Sequence, residues 1–246
     1  MWNQNQINLH ILASKKLNQI KDETFDYIRK NKENTSEFEI QQFILKRFKE
    51  LGLKPDKDPP IVAFNENSAI PHYFPTERSK ILAPNSLILI DIWGKLKKKN
   101  APFSDITWVA YYGDKVPDEI SKAFNTITNA RDSCINFIKL NLGEKRVASL
   151  RNSDLSTRNI IISEGYEKNL RHKTGHAIGT TSCHGRYKSL HHKNSGNLLN
   201  NLGYTIEPGL YIPNKFGIRS EIDFYIDEKF NMIITTPVQK EIVKIN

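Results

Sequence analysis

Asp91, Asp105, His172, His176, His184, Glu207 and Glu221 are the side chains of this 246-residue sequence whose types and spacing suit one shared piece of chemistry. The two glutamates lie in GYTIEPGLYIPNKFGIRSEIDFYI, from Gly203 to Ile226, where two apolar, β-branched and aromatic runs flank a Pro/Asn/Gly connection. That pattern predicts two antiparallel strands joined by a loop. Side chains alternate along a strand, so Arg219, Glu221 and Asp223 share one face while Ile218, Ile222 and Phe224 share the other; Thr205 shares a face with Glu207. An isolated strand glutamate ordinarily sits on a solvated face, whereas one facing inward needs a cationic partner or a metal to offset its desolvation.

The histidines lie in LRHKTGHAIGTTSCHG, a Gly- and Thr-rich stretch that is poor helix material. Each alone reads as a hydrogen-bonded loop residue, but the four carboxylates change that. One histidine and four carboxylates, two of them able to bridge, suit a pair of hard or borderline divalent cations. Two such ions about 3.5–4 Å apart hold a hydroxide between them and stabilise charge on the oxygens of a tetrahedral intermediate. A structural zinc would call for several cysteines, and this chain has only Cys134 and Cys183. Neither is placed for a disulfide, and both read as ordinary reduced thiols.

The elements that must position these groups follow from periodicity. Leu17, Ile20, Tyr27 and Ile28 predict an amphipathic helix over about residues 12–30. Ser36-Glu37-Phe38-Glu39 has the form of a capping box opening a second helix, with Ile40, Phe43, Ile44, Phe48 and Leu51 on its apolar face and Gly52 as its stop. Residues 54–60, with three prolines, form a loop. A short strand, Ile61 to Phe64, runs into a turn-rich segment that ends at His72. NSLILIDIWG is apolar on both faces and reads as a buried strand leading into Asp91. After a lysine-rich loop, SDITWVAYYG opens another strand with Asp105, which can face Asp91 across a hairpin-like connection. Pro117 starts a long helix bearing Ile120, Phe124, Ile127, Arg131, Cys134 and Ile138 on one face, and a shorter helix from about Ser153 to Glu164 is stopped by Gly165. Long helix, short helix, then strands thus occurs twice, which predicts an α+β fold of two similar halves packed as one domain.

The net charge is +9 and the isoelectric point near 9.4. The lysines are spread along the chain, and the one dense cluster, Lys95 with Lys97 to Lys99, lacks interleaved aromatics, so a solvated surface is expected and nucleic-acid binding is not. No apolar run reaches the roughly 18 residues of a membrane span, and the N-terminus has no signal-peptide pattern; a cytoplasmic location is expected.

LILID, SDIT, TGHAIG, TIEPG and RSEID, in that order, resemble the catalytic domain of the methionine aminopeptidase, aminopeptidase P and prolidase superfamily of metallopeptidases. The resemblance runs from about Thr35 to the C-terminus, leaving residues 1–34 as a helical lead-in to a single catalytic domain spanning 1–246. It implies the pita-bread fold, two pseudo-symmetric halves with a curved antiparallel sheet flanked by helices, and a dinuclear site. By that similarity Asp91 chelates one ion, Asp105 and Glu221 bridge both, and His176 and Glu207 bind the other. Manganese is the first candidate, with cobalt, zinc or iron as alternatives.

His172 and Arg219 match the proline-specific branch, and methionine aminopeptidases generally lack both. Peptides with proline in second position are therefore the implied substrates, with a metal-held hydroxide attacking the scissile carbonyl. His72 and His184 match histidines used near the scissile bond, although His184 sits one residue further from His176 than GHxIGxxxH places it. Glu207 is implied as ligand and proton shuttle, His172 as a border of the proline pocket, and Arg219 as a contact to substrate or to a ligand carboxylate. A methionine aminopeptidase, or a non-catalytic binding protein that kept the fold, are the rival readings, and monomer and homodimer are both open.

Overall fold

The computed structural model describes residues 1–246. Helix α1 (Gln4–Asn31) opens with a capping box in which Asn3 and Gln6 satisfy one another's backbone amides. It begins eight residues before the apolar periodicity does, because the cap and not the periodicity fixes its start. Helix α2 (Glu37–Glu50) carries the expected Ser36–Glu39 box, and Gly52 follows it at φ +71°. Strands β1 (Leu53–Lys54), β2 (Ile61–Phe64), β3 (Ser86–Leu96) and β4 (Phe103–Tyr112) come next. Helices α3 (Asp118–Gly143) and α4 (Leu150–Ser163) then repeat the helical pair. The repeat is close in size, 28 and 14 residues in the first pair against 26 and 14 in the second.

The remaining strands are β5 (Gly203–Ile206), β6 (Gly209–Ile212), β7 (Phe216–Arg219), β8 (Ile222–Ile226), β9 (Met232–Ile234) and β10 (Val243–Ile245). β3 pairs antiparallel with β4 along its length, with β1 and β2 on its other edge, while β10 joins β4 in parallel. β5, β8 and β9 form a second antiparallel ladder, and β6 with β7 a third. The expected single sheet is therefore divided into ladders. The expected pair of strands over 203–226 is likewise broken twice, at Glu207-Pro208 and Ser220-Glu221. Pro208 has no amide to donate and its carbonyl instead accepts from Ser220 N at 3.2 Å, so the chain kinks where both glutamates sit.

β3 has one face against each layer. Ile88, Ile90 and Ile92 pack with α1 and α2, and Leu87 and Leu89 pack with α3 and the β6–β7 hairpin. Fully burying such a side chain is worth roughly 1.5–3 kcal/mol, so this strand is held from both sides. It continues past Asp91 to Leu96, two residues beyond the NSLILIDIWG run expected to form it. Helix α1 packs in both cores: Leu9 to Ile28 lie against β3 and β4, while Ile7, with Trp2 just before the helix, belongs with β5 and β8. The segment set aside as a lead-in is thus part of the core. No helix is long and apolar enough to cross a membrane.

Candidate active site

The site forms on the face of β3 and β4 turned away from α1 and α2. Asp91 lies opposite Thr107, and Asp105 lies opposite Trp93, so the two aspartates share a face two residues apart. Asp105 is fixed from behind by Asp223, whose Oδ2 accepts from the Asp105 amide at 2.9 Å and from Ser104 Oγ at 2.7 Å.

His176 comes from the loop after α4, which runs beside β5. The His176 amide donates to Thr205 Oγ1 at 2.9 Å, its carbonyl accepts from Thr205 N at 2.9 Å, and Glu207 N donates to Thr174 O at 2.7 Å. Gly175 allows this approach, since a Cβ there would lie 2.0 Å from the Thr205 carbonyl oxygen. His176 Nδ1 lies 3.0 Å from the Ala177 carbonyl and so carries the proton, leaving the Nε2 lone pair aimed at the acids. That atom stands 3.6 Å from Asp105 Oδ2 and 3.5 Å from Glu207 Oε1. Glu221 completes the group. Ser220 beside it is tied to α3 by Arg131, whose Nη1 donates to Ser220 Oγ at 2.7 Å.

Ligand atoms of Asp91, Asp105 and Glu221 lie within 4.8 Å of one another, as do those of His176, Glu207 and Glu221. Two overlapping triads with Glu221 in common offer two neighbouring positions for cations. Asp105 Oδ1, His176 Nε2 and Glu221 Oε1 are buried without a hydrogen-bond partner, which a folded protein tolerates poorly unless something else fills the coordination. Burial pushes the Asp105 and Glu221 carboxyls well above the ordinary range, and the neighbouring acids push them further. Asp91 is also raised by burial, with Arg219 working against it. Burial lowers His176, keeping the imidazole in the neutral form that binds metal. The residues present fit a pair of divalent ions.

Around these five runs a cleft of about 460 Å³, lined among others by His72, His172, His184, Trp93 and Phe74. His72 is exposed on a loop held from below by the buried Glu37, which accepts from Tyr73 Oη at 2.6 Å and Asn67 Nδ2 at 2.9 Å. His184 is solvent-facing, its ring 4.1 Å from that of His176. Arg219 is 5% exposed and directs its guanidinium inward, to Asp91, to Thr107 Oγ1 at 2.9 Å and to Tyr211 Oη at 2.7 Å. Arg219 thus finds its acceptors within the protein, one of them the Asp91 carboxylate. Tyr211 Oη in turn lies 2.7 Å from His172 Nε2.

The profile of metallopeptidase family M24 matches residues 13–228 of the chain. The chain belongs to this family. The M24 match takes in most of α1, consistent with the packing of that helix. An uncharacterized peptidase of Staphylococcus aureus is 28% identical over 83% of this chain and 54% of its own length, so the chain spans about half of the curated relatives it matches. Among solved structures, a prolidase from Thermococcus sibiricus superposes with a TM-score of 0.86 at 25% identity, covering 99% of this chain and 62% of that one. An X-Pro aminopeptidase from Thermotoga maritima gives 0.85 at 25% identity, over 99% and 64% of the two chains. An aminopeptidase P from Escherichia coli, 19% identical with a TM-score of 0.81, shares the fold.

Of the residues singled out from sequence, Asp91, Asp105, Glu207, Glu221, His72, His172, His184 and Arg219 line this cleft, and the buried His176 sits behind it against Asp105, Glu207 and His184. Sequence reasoning missed Thr107, Tyr211, His191 and the orientation of Cys183. Thr107 accepts from Arg219 Nε and stands 2.9 Å from Asp91 Oδ1 and 2.8 Å from Glu221 Oε2, donating to one of them. Strand alternation could have found it, two residues after Asp105 on the same face. His191 lines the cleft from a loop whose sequence carries no signal. Cys183 occupies the seventh place after His176, the spacing GHxIGxxxH gives to histidine; its thiol turns inward to Asp105 Oδ2 at 3.2 Å while His184 turns out.

Proposed function

We propose that the chain is a dinuclear metallopeptidase that hydrolyses the peptide bond preceding proline, acting on Xaa-Pro dipeptides or on longer peptides with proline in second position. Its residues 1–246 are read as one catalytic domain working in the cytoplasm, with manganese the first ion to test. The observation that carries the substrate reading is the relay His172–Tyr211–Arg219–Asp91, which ties the two residues typical of the proline-specific branch to a ligand carboxylate. The names of the prolidase and X-Pro aminopeptidase neighbours point the same way.

Asp91, Asp105, His176, Glu207 and Glu221 would hold the ions, which supply an activated water and Lewis acidity at the scissile carbonyl. Glu207 has a side chain 14% exposed toward the cleft, with Oε1 steadied by Thr205 Oγ1 at 3.2 Å. It takes the proton of the attacking water and returns it to the leaving nitrogen. His72 or His184, both open at the cleft, donates to the developing oxyanion. His172 borders the proline ring, and Arg219 orients Asp91.

The test is hydrolysis of Xaa-Pro, Xaa-Pro-Yaa and Met-Ala-Ser peptides by protein loaded separately with each candidate metal. Cleavage before proline, abolished by Glu207→Gln in protein that still binds metal, is expected. Preference for Met-Ala-Ser, or full activity in Glu207→Gln, overturns the reading.

A further inference from the structure

Cys183 is 4% exposed, and its sulfur, a carboxylate oxygen of Asp105 and a ring nitrogen of His176 all lie within 4.8 Å of one another. This third triad overlaps the two that define the metal centre. His176 Nε2 and Asp105 Oδ1, both buried, have no hydrogen-bond partner. The thiol makes one hydrogen bond, to Asp105 Oδ2.

The sulfur is not there by chance of a loose loop. Asp56 Oδ2 accepts from the Cys183 amide at 2.7 Å and from Ser182 Oγ at 2.6 Å, and the Cys183 carbonyl accepts from Gly179 N at 3.0 Å. Gly185 N then closes the turn on Ala177 O at 2.7 Å. At Gly179 a Cβ would lie 2.2 Å from Ser182 O, so the loop folds back as tightly as backbone permits. These bonds present Cys183 to the site from the side of His176.

We propose that Cys183 is a sixth protein ligand of the dinuclear centre, binding through sulfur the ion that His176 binds through nitrogen. The inference rests on the dinuclear reading above and deepens it. Metal–sulfur and metal–nitrogen bonds of about 2.3 and 2.0–2.1 Å bring their donors within the separations seen here. On binding, the thiol proton leaves to solvent and a sulfur–metal bond replaces the hydrogen bond to Asp105; no electron is transferred. A thiolate among carboxylates and an imidazole makes one of the two positions softer than the other. That position favours zinc, iron(II) or cobalt(II) over manganese.

Cobalt(II) is the probe. Full-length protein loaded with two equivalents of cobalt should show a near-ultraviolet sulfur-to-cobalt charge-transfer band, retained in Cys134→Ser and lost in Cys183→Ser. The Cys134→Ser sample keeps the test open should Cys183→Ser fail to fold. Equilibrating wild type with equimolar zinc and manganese, followed by elemental analysis, should give zinc enrichment that falls about tenfold in Cys183→Ser. Two bound cobalt ions without the band overturn the proposal and leave the dinuclear centre standing, with Cys183 a hydrogen-bond donor to Asp105. Failure to bind cobalt overturns both. The band in a protein that does not cleave Xaa-Pro peptides supports the proposal and removes only the substrate reading.

Discussion

Tyr211 donates its hydroxyl proton to Nε2 of His172, 2.7 Å away, because the same oxygen already accepts from Arg219 Nη1. Nδ1 of His172 therefore carries the ring proton and donates to the Lys173 carbonyl at 2.8 Å. One phenol fixes both the tautomer of a cleft histidine and the orientation of the arginine beneath Asp91.

Tyr211→Phe removes an acceptor from a buried guanidinium and a donor from His172. The loss of stability should be about 1–3 kcal/mol, the cost of leaving a buried polar group unpaired. Peptidase activity should fall by roughly 10–100-fold through misplacement of Asp91 and His172. Thermal unfolding and steady-state kinetics check the two effects separately; a variant as stable and active as wild type would show the relay to be idle.

Glu221 is shared by both cation triads, and burial among acids holds its carboxyl well above the ordinary range. In chelated protein Glu221→Gln should be neutral or raise the melting temperature, at roughly 2–4 °C per kcal/mol for a chain of this size. Adding metal should stabilise wild type and leave the variant almost unmoved. Calorimetry with and without chelator measures both, and a variant that still gains stability from metal like wild type would remove Glu221 from the ligand set.

Gly175→Ala places a methyl against the Thr205 carbonyl. Overpacking of this kind costs about 1–3 kcal/mol, and here the displaced segment carries His176. Metal retention in dialysis should fall roughly 10–100-fold. Unchanged retention would mean that the close approach to β5 does not position the imidazole.

His10 gives the fold a dependence on acidity. Its ring is fully buried, with Nδ1 2.6 Å from the Phe103 carbonyl and Nε2 2.8 Å from Thr235 Oγ1, and burial lowers its pKa from 6.5 to about 4 despite the bond to Phe103. The nearest acid, Asp223 Oδ2 at 3.9 Å, is itself pushed up by burial and offers no fixed countercharge. The unfolded chain thus takes up a proton below pH 6.5 that the folded chain refuses until about pH 4. Stability from this residue is whole above pH 6.5 and is lost as pH falls to 4, on the order of 3 kcal/mol. Urea titrations of wild type and His10→Gln across that range should give a steeper decline in wild type; parallel curves would refute it.

That these five side chains meet was legible because each carries a local signal: Asp91 in a run apolar on both faces, Asp105 opening the next strand, His176 between glycines, and Glu207 and Glu221 inside strand patterns. Helix ends with side-chain caps, such as Ser36, were legible for the same reason. What joins distant segments was not. Tyr211 reads as one more aromatic in a strand until Arg219 and His172 are brought to it, and Asp223 shows its hold on Ser104 and Asp105 only once β8 meets β4. The breaks at Glu207-Pro208 and Ser220-Glu221 escaped notice because periodicity ran on through them. Only the ladder partners show where one strand ends and the next begins.

Helix α1 is rooted at one end in the layer of β5 and β8 and along the rest of its length in that of β3 and β4. A rod anchored in both leaves of a folded molecule acts as a strut. Swinging one leaf from the other would drag Trp2 off Gly203, where the indole sits so close that even a methyl group would meet it at 2.0 Å. Two of the acids ride on one leaf and the imidazole on the other. The separation of those acids from the imidazole is thereby set by scaffolding on the far side of the sheet.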